Sequence, residues 1–197
     1  MKKHLFAGIL WVAASQLLAN DGFYWGAGYG LVSGNFSSKN QTETTKKSKV
    51  TELFVGRQLT NNMAMELRHS DFSEFNRDAR NGYTFTANGT TTTVPSGVLV
   101  QISSQSKSTN LSGIFSLPIN TKTQLTAKLG VHRYKINTAV TSALGNFSSN
   151  KSDNDFLYGL GIVRTISADF GVRTQLERFL LNGDSTDILS VSFKRYF

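Results

Sequence analysis

The residues of this chain best suited to chemistry are two histidines, two acidic clusters and a set of charges spaced by two. His69 is followed by Ser70 and Asp71, and His132 by Tyr134 two residues on. Nucleophilic catalysis needs a nucleophile, a base and an orienting acid in one register. Neighbours in an extended chain point to opposite faces, so His69 and Ser70 diverge, and neither histidine assembles such a set. Asp153-Asn154-Asp155 and Asp184-Ser185-Thr186-Asp187 lack the glycine spacing and further oxygen ligands of a dedicated calcium loop. The chain has no cysteine, which excludes disulfides, thiolate metal sites and a lipoprotein anchor. The pattern predicts no catalysis, no metal and no cofactor.

The charges spaced by two point elsewhere. Glu66 and Arg68, and Arg173 and Glu177 around Gln175, share a face if their segments are strands. Lys128 and Lys194 fall on the equivalent face of two further segments. Charges cannot be buried singly without a large desolvation cost. The expectation is therefore one interior network of Glu66, Arg68, Lys128, Arg173, Glu177 and Lys194, with both glutamates held between basic partners, acting as a polar plug.

Eight alternating segments must position these groups. The first, 22–34, sets Phe23, Trp25, Ala27, Tyr29 and Leu31 against Gly26, Gly28 and Gly30, a glycine row that lets a small barrel close tightly. Segments 50–60 and 63–73, joined at Asn61-Asn62, turn Leu53, Val55, Arg57, Leu59, Met63, Met65, Leu67 and His69 outward. Their opposite faces carry Phe54, Gly56, Gln58, Ala64, Glu66 and Arg68. Segments 106–117 and from 123, joined around Pro118 and Asn120, present Leu111, Phe115, Leu117, Leu125, Leu129 and Val131. Segments 155–167 and 170–180 present Phe156, Tyr158, Leu160, Ile162, Phe170, Val172 and Leu176. The last sets Leu189, Val191, Phe193, Arg195 and Phe197 against Ser190, Ser192, Lys194 and Tyr196.

The connections alternate: long at 35–49, tight, very long at 74–105, short, long at 138–154, tight, and then 181–187. Short turns at one end and longer loops at the other are the pattern of a single-chain barrel crossing the bacterial outer membrane, with both termini periplasmic. An all-β, eight-stranded, antiparallel, up-and-down transmembrane barrel is the expected fold. A soluble lipocalin-like barrel is the alternative, but inward glycines and charges suit a tight polar interior better than a ligand cavity.

The start of the chain agrees with export. Met1-Lys2-Lys3-His4, an apolar run to Ala14, and Ser15 to Ala19 read as a secretory signal over residues 1–19, cleaved after Ala19, leaving residues 20–197 as the barrel. The apolar run is short of the roughly 20 residues of a spanning helix. One domain accounts for the remainder, with no periplasmic module expected after Phe197. The formal charge of +8 would raise the question of nucleic acid in a cytoplasmic protein; in an exported one, anionic lipid is the better partner.

Gly26-Ala27-Gly28-Tyr29-Gly30, Val55 to Asn62, Ala64-Met65-Glu66-Leu67-Arg68 and Tyr158-Gly159-Leu160-Gly161 resemble the OmpA-like and OmpX-like eight-stranded outer-membrane barrels across the mature chain. The resemblance implies a comparable core of ion pairs, and a closing strand whose Leu189, Val191, Phe193 and terminal Phe197 are read by the barrel-assembly machinery. Arg195 departs from the usual apolar or aromatic residue of that signal. At the outer rim, His69, Arg133, Lys135 and Arg178 are placed to meet lipopolysaccharide phosphates. Loop one, with Lys39, Lys46, Lys47 and Lys49 against Glu43, offers a basic tip for anionic glycans. The 74–105 connection has two readings, a hairpin rising above the membrane or a disordered exposed loop, and the second is the expectation. The function read from the sequence is a monomeric, surface-exposed structural or adhesion-type protein with host-surface or glycan ligands at its loops. A narrow gated ion or small-solute channel is the alternative, ahead of a lipid A-modifying enzyme.

Overall fold

A computed structural model describes residues 22–34, 48–79, 84–87, 90–93, 100–142, 145–181 and 184–197. The expected signal peptide, most of loop one and the Asn182-Gly183 turn lie outside them. The strands in chain order are β1 (Phe23–Gly34), β2 (Ser48–Thr60), β3 (Met63–Ala79), β4 (Thr84–Ala87), β5 (Thr90–Thr93), β6 (Val100–Asn120), β7 (Thr123–Ser142), β8 (Gly145–Ser167), β9 (Phe170–Leu181) and β10 (Asp184–Tyr196). Eight of them close into one antiparallel barrel in the order β1-β10-β9-β8-β7-β6-β3-β2. The short strands β4 and β5 pair with each other as a separate hairpin. The closing contact joins the two ends of the chain, from Tyr24 opposite Tyr196 to Gly34 opposite Thr186.

Faces fall as the alternation requires. Leu160 and Phe193 are 63% and 65% exposed on the outside, while Glu66 and Arg68 are 0% exposed inside. Apolar side chains out and charges in inverts a soluble fold, and it is stable only where the outer surface meets hydrocarbon. Closure also leaves no open sheet edge in that band.

Three expected connections prove to be strand. Thr138–Ser142 pairs in register with Gly145–Ser149, so 138–154 is almost entirely ladder. Ala79 is opposite Val100 and Phe75 opposite Ser104, and Thr84–Ala87 pairs with Thr90–Thr93, so the described part of 74–105 is paired strand rather than a disordered loop; 80–83, 88–89 and 94–99 lie outside the described residues. Asp184 is opposite Leu181, leaving two residues for the last turn. These segments are mostly polar, with Val140 and Thr186 buried on the inner face, and backbone pairing needs no continuous apolar alternation. The turn expected around Pro118 and Asn120 lies two residues later, at Thr121-Lys122. Pro118 is inside β6 beside a register shift, and the Asn120 side-chain oxygen accepts the Lys122 N–H at 3.0 Å.

The barrel is consequently lopsided. Strands β6, β7 and β8 have 21, 20 and 23 residues, against 12 or 13 in β1, β2, β9 and β10. About 9–11 tilted residues cross a bilayer, so one side of the wall stands far above it.

Candidate functional site

The lumen is layered from the short-turn end upward. Lowest is an aromatic floor made possible by two glycines. Tyr24 is opposite Gly56, and Gly26 opposite Phe54. A Cβ at Gly56 would lie 2.2 Å from Tyr24 Cζ, and one at Gly26 would lie 2.3 Å from Phe54 Cζ. Each ring therefore occupies the space a side chain would fill on the facing strand. Tyr24 meets Phe54 edge-on at 6.4 Å and Tyr196 at 6.0 Å.

Directly above sit the charges. Glu66 accepts from Arg173 at 2.6 Å and from Arg68 at 3.0 Å, with Lys128 Nζ at 3.2 Å and the Tyr24 hydroxyl donating at 3.3 Å. Arg68 spans two further carboxylates, Glu52 at 2.8 Å and Glu177 at 2.5 Å. Glu177 is also 2.9 Å from Lys128 and accepts from Gln175 at 2.5 Å. The guanidinium groups of Arg173 and Arg68 lie over the Phe54 ring at 4.3 and 5.7 Å. The network thus stands on the aromatic floor, and cation–π attraction offsets part of its desolvation.

Over the charges lies an apolar layer of Val32, Val50, Leu157, Phe179 and Ile188, with Phe72 packed against it. Phe72 meets Phe179 edge-on at 6.2 Å. His132 flanks this layer with its ring 5.0 Å from Phe179. It donates from Nε2 to the Leu180 carbonyl at 2.9 Å and faces Ser108 Oγ from Nδ1 at 3.2 Å. Buried at 2% exposure, it ties β6, β7 and β9 together. An ion leaving the network upward would have to cross hydrocarbon side chains.

Five of the six expected interior charges meet as ion pairs. Lys194 stands apart: its ammonium lies over the Tyr24 ring at 3.7 Å and the Tyr196 ring at 5.1 Å, and it makes no ion pair among the described residues. Glu52 is the member that the sequence reading missed, although it shares the face of Phe54 and Gly56. Gln175, Tyr24 and Ser192 add hydrogen bonds to the network, while Glu52 Oε2 is buried without a hydrogen-bond partner among the described residues.

At the outer rim the expected residues are not equivalent. Arg178 forms a two-pronged pair with Asp187 at 2.6 and 2.7 Å, and His69 Nδ1 is 3.0 Å from Thr109 Oγ1. Arg133 and Lys135 project from β7 with no ion pair among the described residues. Lys107, directly across from Lys135, pairs with Asp71 at 3.0 Å. At the opposite rim Arg195 lies between the rings of Phe170, at 5.6 Å, and Phe197, at 5.4 Å. Among the described residues, no group of three or more His, Asp or Glu side chains is placed to hold a metal ion.

A family model described as the OmpA-like transmembrane domain matches residues 18–186. No curated protein is similar in sequence to this chain. The fold is similar to that of Ail, the attachment invasion locus protein of Yersinia pestis, in its crystal structure with the heparin analogue sucrose octasulfate. The TM-score is 0.53 and the identity 15%, over 89% of this chain and 96% of that one. The N-terminal β-barrel domain of Pseudomonas aeruginosa OprF is similar with a TM-score of 0.57 at 9% identity, over 90% of this chain and 98% of that one. A major outer membrane protein of Thermus thermophilus has a TM-score of 0.51 at 10% identity, over 89% of this chain and 99% of that one.

Proposed function

The chain belongs to the OmpA-like transmembrane domain family, whose members are integral outer-membrane barrels, and from that premise we propose that it is a surface-exposed, adhesion-type protein with a plugged lumen and no catalysis. One observation carries the reading. Above the bilayer, β8 pairs with β7 from Gly145 onward, whereas its pairing with β9 begins only at Leu157. The segment 145–156 is a sheet edge with no strand partner on one side among the described residues. Such an edge adds an extended segment of another protein by main-chain hydrogen bonds. The alternating outward residues Asn146, Ser148, Asn150, Ser152 and Asn154 keep it hydrated until a partner arrives.

Removing residues 139–142 and 145–148 shortens the β7–β8 hairpin in register. The expected outcome is loss of host-cell or matrix binding, with the heat-modifiable gel migration of the folded barrel retained; unchanged binding refutes the reading. Heparin-type glycans are a first soluble probe, in view of the ligand in the Ail structure and the basic outer rim here. Planar-bilayer conductance tests the channel alternative, against which the apolar layer over the charges argues.

We also assign the free rim cations Arg133 and Lys135 to lipopolysaccharide phosphates. Replacing both with glutamine reduces lipopolysaccharide retention more than Arg178→Gln, because Arg178 is already engaged by Asp187. The closing strand is the part read by the assembly machinery. Deleting Phe197 lowers the amount of barrel assembled in cells more than its folding in detergent.

A further inference from the structure

The lumen is not electrically balanced, and the imbalance faces a cavity. Among the described residues, the buried carboxylates are Glu52, Glu66 and Glu177, whereas the buried cations are Arg68, Lys128, Arg173 and Lys194. The Coulombic partners of the first three cations are all accounted for within the network. Lys194 is the excess cation: its ammonium lies against tyrosine ring faces, with no carboxylate in ion-pair contact among the described residues. A buried ammonium without a counter-charge is costly, and an anion beside it recovers that cost.

Lys194 lines a cavity of about 350 Å³ at the short-turn end of the lumen. Asn61, in the β2–β3 turn, and Ala168, in the β8–β9 turn, also line it, so it opens at the periplasmic mouth. Its wall carries Arg173, Gln124, Thr126 and Ser116. Arg173 uses its Nε toward Ser192 and one hydrogen on each terminal nitrogen toward Glu66. A guanidinium has five N–H donors, so two remain for a ligand.

We propose that this cavity binds a small tetrahedral oxyanion from the periplasm, a phosphate or a phosphate monoester. Lys194 supplies the charge, and the side chains of Arg173, Gln124 and Thr126 supply oriented donors. The aromatic floor and the ion-pair network close the site from above, so the ligand enters and leaves on the periplasmic side. This goes beyond the adhesion reading, which concerns the opposite end of the barrel, and either stands if the other fails.

The test uses the mature barrel refolded in detergent, titrated with inorganic phosphate, glycerol 3-phosphate and acetate in low-salt, chloride-free buffer and followed by amide chemical shifts. Saturable shifts confined to the region of Asn61, Gln124 and Ala168 are expected with both phosphates and not with acetate. Tighter binding of one phosphate identifies whether the free ion or the ester is the better ligand. Lys194→Met should weaken binding at least tenfold, while Lys107→Met on the outer surface leaves it unchanged. Absence of a saturable shift, equal binding of acetate, or unaltered binding in Lys194→Met overturns the proposal. Should Lys194→Met lose the heat-modifiable migration of the folded barrel, the double variant Gln124→Leu, Thr126→Val keeps the lysine. It is expected to weaken binding several-fold, and unchanged affinity overturns the proposal equally.

Discussion

The Lys128–Glu66 pair in the lumen and the Lys107–Asp71 pair on the outer surface join the same chemical groups at nearly the same distance, 3.2 and 3.0 Å. Their side chains are 5% and 0% exposed in the first pair, and 51% and 38% in the second. Contact distance therefore says little about what each contributes. Water screens the outer pair and competes for both partners. The inner charges have one another, the Phe54 face and the side chains of Tyr24, Gln175 and Ser192 in place of water, so each holds the rest in place.

The largest effect should come from cutting the inner network at its hub. Arg68→Met removes the cation paired with Glu52 and leaves Glu177 paired with Lys128 alone. It is expected to cost about 3–5 kcal/mol, the usual loss when one member of a buried ion pair is removed, measured by urea unfolding in lipid or detergent. A cost below about 1 kcal/mol would mean that water reaches this layer. Next comes the floor beneath it. Gly56→Leu places a side chain where the Tyr24 ring lies, and overpacking of this kind costs about 1–3 kcal/mol. Gly113→Leu is the matched control: a Cβ at Gly113 would meet nothing nearer than 3.9 Å, and the same urea titration should register little change. The smallest effect belongs to the outer pair. Lys107→Gln should cost about 0.2–1 kcal/mol, and the difference should shrink further as salt is raised, while the cost of Arg68→Met stays nearly constant.

The same contrast explains what could be read in advance. Where one face meets lipid and the other does not, alternation is enforced residue by residue. Leu53, Val55 and Leu67 thus mark the outside, and Phe54, Gly56 and Glu66 the inside, without any structure. Above the bilayer that constraint disappears. Thr138–Ser142 and Gly145–Asn154 are as regular a ladder as any in the barrel, but no hydrocarbon meets the outer face there, polar residues serve on it, and the segment reads as a loop. Glu52 was legible by register and missed because its face was followed only as far as Phe54. The isolation of Lys194 was not legible. It depends on how far up the lumen Glu66 reaches from β3 toward Arg173 on β9, a distance that only closure of the ring defines.

Sequence by itself determined the strand faces, the even count, the short turns at one end and the inward placement of the charges, because a period of two between hydrocarbon and a polar interior permits one assignment. Tertiary structure decided which of those charges are dry and mutually paired, which stands alone beside a cavity, and which strands continue into water as an open edge. Those outcomes depend on the relative heights of residues far apart in the chain, and the stagger of the closed barrel sets those heights.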